Sequence, residues 1–146
     1  MKIITFNSKY TDDTIFCLLS AKDALGRIPT LNEDMLDVKK NYLDCGDMFW
    51  LAIDENDRVV GMLGIKAQTT TELVLKRFYI KPDMKRKGIG SMLFSVAEQH
   101  AKAKECRAIN TRFANDYAEA KAFYQSKGFI KTGEDNGINY YSKVLM

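Results

Sequence analysis

Along the chain the apolar positions change period several times, and each change marks an element. "KIITF" at the start is a short β-rich run. From Asp13 onward Ile15, Leu18, Leu19 and Leu25 recur at helical spacing. Beyond the Pro29 break, Leu31, Met35, Val38 and Tyr42 predict a second helix, with "GRIPTLNED" as the loop between the two. "MFWLAI" and "VVGMLGI" are β-rich and joined by the turn-forming "DENDR", which predicts a hairpin with Trp50 in the core.

The next strand, "TELVLKRFYIKP", changes phase partway along. Leu73 and Leu75 carry the apolar pattern at odd positions, Phe78 and Ile80 at even ones, with Lys76 and Arg77 side by side between them. A strand that keeps one face inward across such a shift needs an inserted residue, a β-bulge, and bulges re-aim strands beside active sites. The other reading is a strand buried on both faces with loose patterning.

Farther on, Ile89, Leu93, Val96, Ala97 and Ala101 mark one helix face, and "RAINTRF" is another strand. "NDYAEAKAFYQSKG" predicts a helix capped by Asn115 or Asp116 and stopped at Gly128. "FIKTG" and "INYYSKVL" form a final pair around the turn "EDNG". No repeat, linker or low-complexity tract interrupts residues 1–146, so one α/β domain is expected. A chain of this length buries roughly 70% of its unfolded surface, enough for a true core.

Composition narrows the class. The apolar run of "MKIITFNSKYTDD" ends at Asn7 and the segment turns acidic by Asp12, unlike a signal peptide or a membrane span, so a cytoplasmic protein without a membrane partner is expected. Cys17, Cys45 and Cys106 show no paired spacing and His100 is the sole histidine, so neither a metal site nor a disulfide framework is expected. Cys17 and Cys106 read as small buried hydrophobes.

The segment "KRKGIGS", Lys85 to Ser91, sets three cations and two glycines between a strand and an apolar helix. The first N–H groups of a helix have no intrahelical partner and its N-terminal dipole end is positive, so such a junction suits a phosphate or pyrophosphate. Gly88 and Gly90 allow close backbone approach. A solvated charged turn is the competing reading, because the spacing is neither that of a dinucleotide-binding turn nor that of a P-loop.

"FYIKPDMKRKGIGSMLF" resembles motif A of the GNAT superfamily of N-acetyltransferases, a bulged strand and turn followed by R/Q-x-x-G-x-G/A opening a helix. "AEAKAFYQSKGF" resembles its second signature, A-x-x-x-Y-x-x-x-G-F, in the right order. The resemblance covers the whole chain. It implies a mixed, mostly antiparallel six- to seven-stranded sheet flanked by about four helices, with a bulged central strand. It also implies acetyl-CoA as co-substrate and no metal.

Residue by residue, the resemblance places Lys85, Arg86, Lys87, Gly88, Ile89, Gly90 and Ser91 around the pyrophosphate. It places the backbone of Phe78, Tyr79 and Ile80 along the pantetheine arm and thioester, and it makes Tyr124 the general acid. Lys85 stands at the usual Arg/Gln position and Arg86 where glycine is common, so a point charge replaces a planar contact there. The family's asparagine, seven residues before the tyrosine, falls at Tyr117, leaving Asn115 as either a cofactor contact or a helix cap.

The chemistry accounts for these residue types. A neutral amine attacks the thioester, a backbone N–H at the bulge stabilises the oxyanion of the tetrahedral intermediate, and the departing thiolate needs a proton. A phenol with a reference pKa of about 10 keeps one to give at neutral pH. Read without its signature, Tyr124 would serve equally well as a core tyrosine. For the acceptor's proton, Glu72 is the best-placed carboxylate, with ordered water as the alternative.

Residues 1–60 carry a net charge of −4 and residues 61–146 a net of +7. The resemblance implies that the first two helices and the loop between them line the acceptor channel, so the acids there, with Glu33 and Asp34 as candidate substrate-binding residues, suit a cationic small-molecule or peptide amine as acceptor; a solvated helix face is the competing reading. No nucleic-acid partner is expected, and either a monomer or a homodimer fits. Two other readings stay open: a nucleic-acid-binding module built on the basic loop, and an acyl-CoA sensor that does not catalyse.

Overall fold

The computed structural model describes residues 1–145. Its elements are β1 (Lys2–Thr5), α1 (Thr11–Ala24), α2 (Val38–Asn41), β2 (Met48–Ile53), β3 (Val59–Ala67), β4 (Glu72–Ile80), α3 (Ile89–Ala103), β5 (Ala108–Ala114), α4 (Ala118–Ser126), β6 (Ile130–Asp135) and β7 (Ile138–Val144). Among the described residues the seven strands form one sheet in the order β1-β2-β3-β4-β5-β7-β6. It is mostly antiparallel, with β4 and β5 running parallel from Glu72↔Ala108 to Val74↔Asn110. Strand and helix numbers agree with those the resemblance implies. No helix of the described residues is long and apolar enough to cross a membrane.

By packing, the chain divides into two compact units, the first made of Met1–Lys66 and Lys76–Ala97, the second of Ala67–Leu75 and the chain from Glu98 onward. In the first, β2 and β3 are buried on both faces, which is why their sequences read as unbroken apolar runs rather than alternating ones. Trp50 is buried there, as expected. The hairpin turn is closed by Asp54, whose carboxylate accepts the N–H groups of Asn56 and Arg58 at 2.9 Å each. Tyr42 and Phe49, both fully buried, meet edge to face at 5.0 Å, a pairing worth about 0.5–1.5 kcal/mol beyond its buried area.

The second predicted helix is not continuous. Met35, Val38 and Tyr42 are buried as the spacing requires, but Met35 rides on a 3-10 turn at Glu33–Leu36, Val38 on the single turn of α2, and Tyr42 on the junction between α2 and a further 3-10 turn at Leu43–Cys45. Asp37 interrupts the run at φ −148°, ψ 78°, and its carboxylate accepts the Lys40 N–H at 3.1 Å. The Asn41 side chain donates to the carbonyls of Asp34 and Asp37. Short polar side chains thus compete with the helical ladder for backbone partners. Leu31 stays 40% exposed and takes no part in the apolar face.

In the second unit β7 is paired on both sides within its own sheet, with β5 from Ala108↔Val144 to Ala114↔Ile138 and with β6 from Ile130↔Ser142 to Asp135↔Ile138. Asn136 (φ 50°) and Gly137 (φ 77°) make the tight β6–β7 turn, the two left-handed positions of a type I′ hairpin. The β6 register shifts between Lys131 and Gly133. Asn115 and Asp116 stand before the cap position of α4, which is Tyr117 and makes no side-chain capping hydrogen bond. Asn115 is drawn instead toward the hairpin, its N–H donating to the Gly137 carbonyl at 2.8 Å and its amide to Glu134 at 3.5 Å.

Candidate active site

In the first unit the basic loop is a chain of unusual backbone angles. A 3-10 turn at Pro82–Met84 leads to Lys85 in extended conformation, and then Arg86 (φ 64°) and Gly88 (φ 81°) both enter the left-handed region. Left-handed residues alternating with ordinary ones are the backbone pattern from which anion-binding nests are built. The Gly88 carbonyl accepts the Met92 N–H at 3.0 Å, so Gly88 opens α3 directly. The left-handed Arg86 also accounts for the glycine common at its position, because glycine adopts that angle without strain.

The helix behind the loop is held by close packing. Ile89, Leu93, Ala97 and Ala101 are buried, each large apolar side chain among them contributing about 1.5–3 kcal/mol, while Val96 on the predicted face is only half-buried. A Cβ on Gly61 of β3 would lie 3.0–3.1 Å from Ile80, Ile89 and Leu93, so Gly61 lets the start of α3 approach β3 closely. Ile80 therefore spends its side chain on packing, and Tyr79 is partly buried against the core. Phe78 is half-buried. These three have only their backbone, or a partial side-chain surface, to offer a ligand.

At the phase change in β4, Arg77 adopts φ 53°. It is a left-handed angle inside a strand, where extended backbone is the rule. The Arg77 guanidinium grips Asp34, with Nε 3.1 Å from Oδ2 and Nη2 3.2 Å from Oδ1, and the Tyr42 hydroxyl donates to the same Oδ2 at 2.6 Å. Burial pushes the Asp34 carboxyl up, but the Tyr42 hydrogen bond and the Arg77 charge outweigh it and hold it below the usual range. Burial, reinforced by that carboxylate, drives the Tyr42 phenol well above its ordinary value.

The acidic surface is largely spoken for. Asp34 pairs with Arg77, Asp37 caps α2, Asp44 pairs with Lys39 at 3.0 Å and Asp47 with Lys66 at 3.5 Å. Glu33 is exposed. Arg77 and Tyr42, the partners that occupy Asp34, were not identifiable from the sequence. The adjacent cations at the phase change were the available signal for Arg77, and nothing marked Tyr42 as more than an apolar position.

In the second unit Tyr124 is 6% exposed, stacked on Phe113 at 5.5 Å and met edge-on by Phe129 at 5.1 Å. Gly128 (φ 90°) ends α4 in a Schellman turn: the Phe129 N–H donates to the Tyr124 carbonyl at 3.0 Å and the Gly128 N–H to Gln125 at 3.1 Å. The tyrosine, glycine and phenylalanine of the second signature are thus one structural device. Glu72 accepts the Asn110 amide at 3.0 Å and lies 3.4 Å from Arg107, and these two, the hydrogen bond from Asn110 first, hold its carboxyl below the usual value.

The loop Lys85–Ser91, the β4 segment Phe78–Ile80 and the acids Glu33 and Asp34 thus belong to the first unit, and Tyr124, Glu72 and Asn115 to the second. Among the described residues no three His, Cys, Asp or Glu side chains gather to hold a metal ion.

The chain belongs to the GNAT acetyltransferase family, whose model, "Acetyltransferase (GNAT) family", matches residues 18–129. It is 34% identical over 110 residues to N-acetyltransferase 8B of Homo sapiens, covering 71% of this chain and 48% of that protein. The chain spans about half the length of the curated relatives it matches. The fold is shared with an acetyltransferase of the GNAT family from Staphylococcus aureus Mu50, with a TM-score of 0.88 at 22% identity and coverage of 99% of both chains. It is shared also with an aminoglycoside 6′-N-acetyltransferase complexed with coenzyme A, with a TM-score of 0.80 at 16% identity, covering 100% of this chain and 98% of that one.

Proposed function

We propose that residues 1–146 act as one acetyltransferase domain that moves an acetyl group from acetyl-CoA to a primary amine by direct attack. The observation that carries this reading is the loop Arg86–Gly88, where two left-handed residues and the cations Lys85, Arg86 and Lys87 meet the start of a 15-residue helix. Backbone donors and positive charge together suit a pyrophosphate. In this reading the β4 backbone at Phe78–Ile80 takes the pantetheine and thioester end. The new C–N bond gives a tetrahedral intermediate, and as it collapses with cleavage of the C–S bond Tyr124 gives its phenolic proton to the departing thiolate.

The acceptor's proton goes to water. Glu72, with its carboxyl engaged by Asn110 and Arg107 and its pKa lowered, is a poor base and serves better to tie β4 to β5. Asn115 likewise serves the β6–β7 turn rather than the cofactor. A cationic amine remains the proposed acceptor, with Glu33 in place of the occupied Asp34 as its first contact.

The deciding experiment is a panel of amines with acetyl-CoA, scored by free-thiol release alongside calorimetric acetyl-CoA binding. Turnover with at least one amine is expected. Saturable binding without turnover on any amine would make the protein a sensor, and salt-sensitive retention of DNA without acetyl-CoA binding would make it a nucleic-acid module.

A further inference from the structure

Arg77 holds a backbone conformation that residues with a Cβ rarely adopt, in the middle of a strand rather than in a turn. Such a conformation persists only where the surroundings over-determine it. Here the surroundings are specific. The guanidinium reaches Asp34 through Nε and Nη2, and the carboxylate's second partner, the Tyr42 hydroxyl, sits 2.6 Å from it.

Tyr42 cannot easily move. It is fully buried, edge-on to Phe49, with the Lys66 ammonium 4.3 Å above its ring. A Cβ on Gly64 would come within 2.8 Å of that ring. The segment leading to Asp34 is tied down as well: the buried Lys22 ammonium donates to the Thr30 carbonyl and to Asn32 Oδ1 at 2.7 Å each. Asp34 is thus fixed from both sides, and through it Arg77.

We propose that Asp34, Tyr42 and Arg77 form a clamp that sets the backbone of β4 where it runs into Phe78–Ile80, and that Asp34 and Tyr42 are positioning residues for acyl transfer. The inference rests on the acetyltransferase reading for its kinetic consequence, but its structural content does not. Asp34 is then neither a solvated acid nor an ammonium contact. It trades substrate binding for control of the strand.

The test uses Asp34→Asn, with Tyr42→Phe as the second variant because it removes one hydroxyl and keeps the ring's packing. Without any ligand, amide hydrogen exchange should accelerate about tenfold or more at Arg77–Lys81, including the Lys81 N–H that donates to the Val60 carbonyl, while the amides of Met48–Ile53 stay unchanged. In turnover assays each variant should lower kcat by about tenfold or more while acetyl-CoA affinity stays within about threefold. Asp34→Asn combined with Arg77→Gln should be no worse than Arg77→Gln alone. Uniform acceleration of exchange, unchanged exchange at β4, or additive losses in the double variant would overturn the clamp. Absence of turnover in the unaltered protein would instead count against the acetyltransferase reading and leave the exchange result to decide the clamp.

Discussion

Tyr124 and Phe129 are joined twice, ring edge to ring face at 5.1 Å and backbone N–H to carbonyl at 3.0 Å. The link depends on Gly128, whose φ of 90° an L side chain resists, although a Cβ there would meet nothing nearer than Lys143 Cε at 3.6 Å. Gly128→Ala is therefore expected to cost about 1–2 kcal/mol through backbone strain alone. That corresponds to a fall in Tm of roughly 3–8 °C, readable by calorimetry.

Tyr124→Phe keeps the stack on Phe113 and the Schellman turn, and removes only the hydroxyl. Its acetyl-CoA affinity should stay close to that of the unaltered protein while kcat falls about 10²- to 10⁴-fold, the range for loss of a general acid. Unaltered turnover would assign Tyr124 to the core alone.

Nothing lies within 4 Å of a Cβ at Gly88, so Gly88→Val acts through its φ of 81° and by standing between the loop's N–H groups and an approaching phosphate. It should weaken acetyl-CoA binding by calorimetry about tenfold or more, a step of roughly 1.4 kcal/mol. Lys102→Ala, a cation near the far end of α3, should leave binding nearly unchanged. Equal small losses in both would remove the loop from the cofactor site.

Acid should destabilise the fold through named carboxylates. Asp13, hydrogen-bonded by Arg58, and Asp34, where the Tyr42 and Arg77 contacts override burial, both have folded pKa values below the ordinary 3.8. A depressed carboxyl contributes stability that is present above its unfolded pKa and lost as pH falls through the folded one. The urea midpoint should therefore be flat from neutral pH down to about 5 and drop below about pH 4, and Asp34→Asn should make that drop shallower.

If a cationic amine is the acceptor, kcat/KM for the best amine should fall as salt rises, since the Debye length shrinks to about 10 Å at 0.1 M. Glu33→Gln should raise KM for the amine and leave that for acetyl-CoA unchanged. A panel in which neutral or acidic amino compounds outperform every polycation would refute the acceptor class.

Much of this fold was legible because apolar spacing reports burial directly. The strands of the β2–β3 hairpin and the face of α3 stood out because β2 and β3 are apolar throughout and Ile89, Leu93, Ala97 and Ala101 recur at helical spacing. The same signal misled at residues 31–42, where Met35, Val38 and Tyr42 are buried but the backbone between them is broken by Asp37. Spacing reports which side chains go inward, whereas capping competition decides whether one helix carries them. Of the candidate site, the loop was visible in its glycines and charges. The Asp34–Arg77 pair was not, because the two residues lie 43 positions apart and nothing in local pattern links them.

The irregular register of β6 bears on how this chain behaves in company. β6 is the edge strand at one end of the sheet, where a straight apolar strand would invite a second molecule to add its own. Here the strand shifts register between Lys131 and Gly133, is exposed along most of its length, and carries a Lys131–Glu134 ion pair at 2.6 Å beside Asp135. A foreign strand would have to follow a kinked edge and strip water from three charges. The border of the sheet at β6 therefore discourages fibre-like stacking of one copy on the next.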